Sequence, residues 1–134
     1  MTQVYIRPAR IPDDMPRLLE ISPVTVKPES DWYLYPTLVA EMGDRVVGYT
    51  QFSVGPDMIL HSKAIRVDGD YKGHGIGAML MAAKVDIAKK AGCRAHMYPV
   101  ATQGEQALKK ILLKSGMHLC KDGPEWQLYM EHWD

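Results

Sequence analysis

Three glycines alternate in Lys72-Gly73-His74-Gly75-Ile76-Gly77, where a strand pattern gives way to a helix pattern. Glycine adopts backbone angles closed to other residues and lets a ligand approach the main chain. A helix N-terminus adds N–H groups without intrahelical acceptors and a partial positive charge. Together these make an anion site, and phosphate is a natural guest. Three glycines in five residues are more than a connecting turn needs. A dinucleotide fingerprint, G-x-G-x-x-G, meets Leu80 at its third glycine when counted from Gly75, and Ala78 when counted from Gly73. The loose form admits alanine, so the motif alone leaves a dinucleotide open. The context argues against it: an antiparallel pattern precedes the turn, and residues 94–100 carry no acidic group for a ribose. The P-loop pattern, G-x-x-x-x-G-K followed by Ser or Thr, is absent. Cys93 with His96, and His118 with Cys120, lack the companion spacing of a zinc site, so no metal is expected.

The elements that must hold this turn can be read from periodicity and breakers. Val4 to Arg7 reads as a first strand ended by Pro8, and Asp13-Asp14 start a short helix striped by Met15, Leu18 and Leu19. Residues 22–36 are broken by prolines and crowded with Trp32, Tyr33 and Tyr35, rings that cover the core or line a substrate pocket. Leu38–Met42 and Arg45–Val54 read as a hairpin about Gly43-Asp44, and Met58–Val67 as a further strand. Ile76, Leu80, Ala83 and Ile87 then fall on one face of a helix stopped by Gly92. Arg94–Val100 is a strand. Thr102 and Glu105 have the spacing of a capping box for a helix with Ala107, Leu108, Ile111 and Leu112 on its apolar face. Two closing strands, 117–121 and 125–133, flank Asp122-Gly123-Pro124. A strand–helix–strand unit after residue 58 implies a parallel pair. The expected fold is α+β: a mixed, mostly antiparallel sheet of about seven strands with helices on both faces.

The chain has 134 residues, enough for one domain over 1–134 with its own core. Sixteen basic residues balance sixteen acidic ones, which gives no electrostatic case for nucleic acid or a membrane surface as a partner. The two cysteines, Cys93 and Cys120, read as free thiols of a reducing compartment. No signal-peptide pattern opens the sequence and no apolar run approaches the roughly 18 residues of a membrane span. A cytoplasmic protein is expected.

With the glycine turn in this context, the sequence resembles the GNAT superfamily of N-acetyltransferases. The family pattern is a strand ending in an apolar residue, then Gln or Arg, two residues, Gly, one residue, and Gly or Ala. Val67 ends the strand here, and Lys72 stands where Gln or Arg is usual. The opening Tyr5-Ile6-Arg7-Pro8-Ala9-Arg10 and the segment 100–117, ending in Gly116-Met117, extend the resemblance along the chain. The resemblance implies that Lys72, Gly73, His74, Gly75, Ile76 and Gly77 hold the pyrophosphate of an acyl-CoA, largely through backbone amides. It implies that the pantetheine arm pairs with the strand at Ile65 and Val67, where a main-chain N–H would polarise the thioester carbonyl.

It also places His61 where the histone-acetylating branch carries its glutamate base. Imidazole, with an ordinary pKa of about 6.5, suits deprotonation of an amine whose own pKa is about 10.4. The tyrosine that many members use to protonate the leaving sulfur aligns with Leu112, which leaves Tyr98 or Tyr129 as substitutes. The resulting expectation is an N-acyltransferase that moves acetyl, or another acyl group, from acyl-CoA to a primary amine by direct attack. The acceptor would be a small molecule or a peptide, and the protein a monomer or homodimer. The alternative is a non-catalytic acyl-CoA-binding sensor or interaction domain.

Overall fold

Gly43 and Asp44 both take positive φ, 56° and 66°, and this turn closes the hairpin of β2 (Thr37–Met42) and β3 (Arg45–Val54) in the hand that matches strand twist. The structure is a computed structural model that describes residues 3–22 and 36–133. Trp32, Tyr33 and Tyr35 lie outside the described residues. β1 (Val4–Pro8) adds antiparallel to β2, and β4 (Ile59–Val67) adds antiparallel to β3. Helix α1 (Met15–Ile21) lies between β1 and β2 in sequence. After β4 come a 3₁₀ turn (Gly69–Tyr71), α2 (Ile76–Lys90), β5 (Ala95–Ala101), α3 (Gln106–Lys114), β6 (His118–Asp122) and β7 (Trp126–His132). The sheet order is β1-β2-β3-β4-β5-β7-β6, with β4–β5 as its parallel pair. The expected element order and mixed sheet are both observed.

Two register shifts shape the sheet. One lies between β2 and β3 at Ala40/Glu41. The other lies between β3 and β4, where Gln51 faces Ala64 but Phe52 faces Ser62, so Lys63 is the extra residue of a bulge. The bulge reverses the alternation of β4: Leu60 before it and Ile65 after it both enter the core beneath α2 and α3. On the opposite face Met15 and Leu18 of α1 pack on Val39, Val46 and Tyr49.

Two ion-pair groups fasten α1. Arg7 makes a two-pronged bond to Asp14 at 2.8 and 3.1 Å and reaches Glu41 at 2.9 Å. Asp14 therefore works as an anchor for Arg7 and the Arg10 N–H, and makes no side-chain cap on α1. Arg17 donates to the Val46 carbonyl at 2.7 Å and pairs with Asp68, which ties α1 to the segment leading into the glycine turn.

Two expectations need correction. The buried stripe of α2 is Ile76, Gly77, Leu80, Met81, Lys84 and Ala88, while Ile87 is exposed. The spacing 76–80–84–88 follows the helix as well as the expected one, but passes through a lysine, which an apolar count skips. The capping box is also absent. Glu105 is itself the N-cap of α3, at φ 58°, without a side-chain cap bond, and the Thr102 hydroxyl donates to the Gly123 carbonyl instead.

Candidate active site

Gly75 is the N-cap of α2 and sits at φ 74°, a left-handed angle that glycine adopts without strain. The first helical bond of α2 runs from the Met79 N–H to the Gly75 carbonyl. The N–H groups of Ile76, Gly77 and Ala78 thus have no acceptor within the helix. They border a cavity of about 410 Å³, walled by Ile65, Arg66 and Val67 of β4, by the turn at Tyr71–Gly75, and by Glu105, Ala107, Leu108 and Ile111 at the start of α3. Gly77 lies close against α3: a Cβ there would lie 2.8 Å from Ile111 Cδ1, the end of that side chain. Of the residues expected to form this site, Ile65, Val67, Lys72, Gly73, Gly75, Ile76 and Gly77 come together around the cavity, and His74 is not part of its lining.

Beside the cavity lies a gap in the sheet. Parallel pairing of β4 with β5 covers only Ile59–His61 against Ala95–Met97, although β4 runs on to Val67 and β5 to Ala101. Beyond His61 and Met97 the two strands part. The Asp68 N–H bonds the Val47 carbonyl, so hydrogen-bonded pairs alternate as Val47/Asp68 and Tyr49/Arg66. The intervening residues Ile65 and Val67 therefore turn their N–H groups away from β3 and into the gap. A smaller cavity of about 160 Å³, lined by Arg66, Tyr98, Val100, Glu105 and Trp126 among others, opens from the same gap. Arg66 and Glu105 line both cavities and pair at 3.6 Å across their junction.

A polar cluster lies buried behind the gap, under α2. Lys84 is fully buried and donates from Nζ to the Thr50 hydroxyl at 2.8 Å, and Thr50 in turn donates to the Ala64 carbonyl at 2.6 Å. Burial alone lowers the Lys84 pKa to about 7. Ser62 and His96 Nε2 lie 2.5 Å apart. Burial, then the nearby charges of Lys84 and His61, push the His96 pKa down to about 3, so its imidazole is neutral. Periodicity alone singled out none of these groups.

His61 sits at the last paired position of β4, facing Met97. Its neighbours Leu60 and Ser62 point to the α2 side, so its ring lies on the α1 side of the sheet. The ring is 39% exposed, and its Nε2 lies 3.0 Å from Asp57 Oδ2. That hydrogen bond is the main reason the Asp57 carboxyl is held below its ordinary range. His61 does not border either cavity.

A family model, the acetyltransferase (GNAT) family, matches residues 7–111. The chain belongs to the GNAT acetyltransferase family. It is an acyl-CoA-dependent N-acetyltransferase by that membership. Solved structures share the GNAT fold over nearly the whole length. An N-acetyltransferase from Staphylococcus aureus Mu50 superposes with a TM-score of 0.81 at 20% identity, covering 97% of this chain and 98% of the other. A ribosomal-protein-alanine N-acetyltransferase from Brucella melitensis gives 0.79 at 19%, with 96% and 99% covered. The PaiA N-acetyltransferase from Thermoplasma acidophilum, in complex with coenzyme A, gives 0.82 at 14%, with 98% and 99% covered. No curated protein sequence matches.

Within this GNAT acetyltransferase, position 112 carries a fully buried leucine, so the site has no hydroxyl there. The two tyrosines left as substitutes differ sharply. Tyr129 donates to Gln127 at 3.4 Å, and its own strand, β7, lies on the side of β5 away from β4. Tyr98 lines the smaller cavity.

Proposed function

We propose that this GNAT acetyltransferase moves an acetyl group from acetyl-CoA to the primary amine of a small molecule or peptide by direct attack. The observation that carries the reading is adjacency: the cavity at the start of α2 shares Arg66, Glu105 and Leu108 with the cavity between the parted strands β4 and β5. The pyrophosphate would lie on the N–H groups of Ile76, Gly77 and Ala78, with Lys72 and His74 at the rim. The pantetheine arm would replace the missing strand partner of β4, using the N–H groups of Ile65 and Val67. One of these would polarise the thioester carbonyl.

His61 is proposed as the base that takes the amine's proton. Its place on β4 at the point where the strands part, its partial exposure and its bond to Asp57 support that role. Asp57 would hold the ring and stabilise the imidazolium that forms. Replacing His61 by Gln is expected to lower kcat at pH 7 about 100-fold and leave CoA affinity unchanged. Unchanged turnover would remove His61 from the mechanism.

The reading as a whole is tested by incubating the protein with acetyl-CoA and a panel of amines and following free thiol. Turnover on any amine supports it. Tight CoA binding without turnover would favour a non-catalytic acyl-CoA-binding domain, and binding of NAD in place of CoA would overturn both.

A further inference from the structure

Tyr98 is the first residue of β5 beyond the last pairing with β4. Its side chain is 1% exposed, and among the described residues its hydroxyl is the buried side-chain group that has no hydrogen-bond partner. Native proteins seldom leave such a group unmatched, and one that persists points to an absent partner. The nearby polar groups are committed elsewhere. Lys84 lies over the ring face, 4.9 Å from its centre, and donates to Thr50. His96, 6.1 Å away ring to ring, is engaged with Ser62. Tyr98 instead shares the smaller cavity with Arg66 and Glu105, two charged residues that also line the larger one, and its hydroxyl lies in the field of both. Burial raises its pKa well above that of a free phenol, so it keeps its proton and acts as a donor.

We infer that the Tyr98 hydroxyl donates a hydrogen bond to the sulfur of acyl-CoA as the carbon–sulfur bond breaks, an inference that rests on the acetyl-CoA reading above. The amine nitrogen forms its bond to the carbonyl carbon, and the C=O electron pair moves onto oxygen. As the carbonyl reforms, the carbon–sulfur pair departs with sulfur. The amine's proton goes to the base, Tyr98 keeps its own, and solvent later protonates the thiolate. Sulfur is the atom assigned to Tyr98 because the N–H groups of β4 already face the gap from the opposite wall, where they serve the oxygen. A donor on β5 thereby takes the role left empty at Leu112, without having to act as an acid: a thiol of pKa about 8.5 can leave as thiolate when hydrogen-bonded.

Tyr98→Phe tests this against a purely structural role. The variant removes an unpaired buried hydroxyl, so its melting temperature should equal or exceed that of the parent. Its kcat should fall at least about tenfold, with KM for acetyl-CoA unchanged. A second measurement needs no acceptor. Above pH 9, where the CoA thiol is ionised, the parent should bind CoA about tenfold more tightly than Tyr98→Phe, while desulfo-CoA binds both equally. A parent that binds neither CoA nor desulfo-CoA would overturn the acetyl-CoA reading and this one with it. Normal CoA binding by the parent, with Tyr98→Phe matching it in kcat and in preference for CoA over desulfo-CoA, would overturn the role of Tyr98 alone. So would a variant that melts lower and loses both ligands alike.

Discussion

Lys84 shows how a single residue can oppose the fold that contains it. Its ammonium group is surrounded by core, with the Thr50 hydroxyl as its hydrogen-bond partner and the Tyr98 ring beside it. The folded-state pKa of about 7 lies below the unfolded value of 10.5. Between those two values the unfolded chain holds a proton that the folded chain has released. Stability therefore rises as pH increases from about 7 to 10.5, and below 7, with both states protonated, the penalty is fully present. A depression of this size corresponds to roughly 5 kcal/mol. Lys84→Met should raise stability at pH 7 by about 2 kcal/mol, less than the full amount because the bond to Thr50 is lost as well. Thermal melts of parent and variant at pH 7 and pH 10 would check this. The variant's lead at pH 7 should vanish and reverse by pH 10, where the parent has regained most of that penalty, and a lead that persists at pH 10 would show that the lysine is not charged in the way described.

At the scale of elements, the site depends on how closely α2, α3 and β4 approach one another. Gly77 is the contact point, with Ile111 Cδ1 at 2.8 Å and Ile65 Cγ2 at 3.8 Å from where a Cβ would stand. An added methyl needs only the end of Ile111 to shift, so Gly77→Ala should be tolerated. Gly77→Val adds branched bulk in the first turn and pushes into the cavity wall. It should weaken CoA affinity about tenfold or more while costing stability about 1–3 kcal/mol. Calorimetric titration with CoA alongside a denaturant melt separates the two effects. Equal affinity for Val and Gly at this position would mean that the cavity beside Gly77 does not receive the cofactor. The same elements explain which sequence features were legible. The alternation of β3 and the helical period of α3 are local, and both elements stand where periodicity puts them. The α2 stripe departs from the apolar count because Lys84 is polar by type and buried by position. The supposed capping box failed because Thr102 and Glu105 found longer-range partners, Gly123 and Arg66.

The whole molecule is a sheet left open at one place. Four strands on one side and three on the other are joined by a parallel pairing that lasts only from Ile59 to His61 on β4. A ligand that fills the remaining gap bonds to both halves in the folded state and to neither when unfolded. At a free CoA concentration of 100 times its Kd, the folded state should gain about 2.7 kcal/mol, a rise in melting temperature of roughly 10 °C. Desulfo-CoA should give most of that shift, since the phosphates and pantetheine carry most of the contacts.

The sequence by itself determined the order of the elements, the mixed sheet and the phosphate-type turn at residues 72–77. Each of these is written in local terms: a period of two or 3.6, a breaker, or a run of glycines. It also carried His61, Ile65 and Val67 as candidates through the family pattern. Only the tertiary structure decided where β4 and β5 part, which leaves the N–H groups of Ile65 and Val67 without a partner strand. Only the packing of α2 on the sheet made Lys84 a buried base and left the Tyr98 hydroxyl without a partner. Burial and pairing across 30 or more residues depend on which surfaces meet, and no local pattern records that.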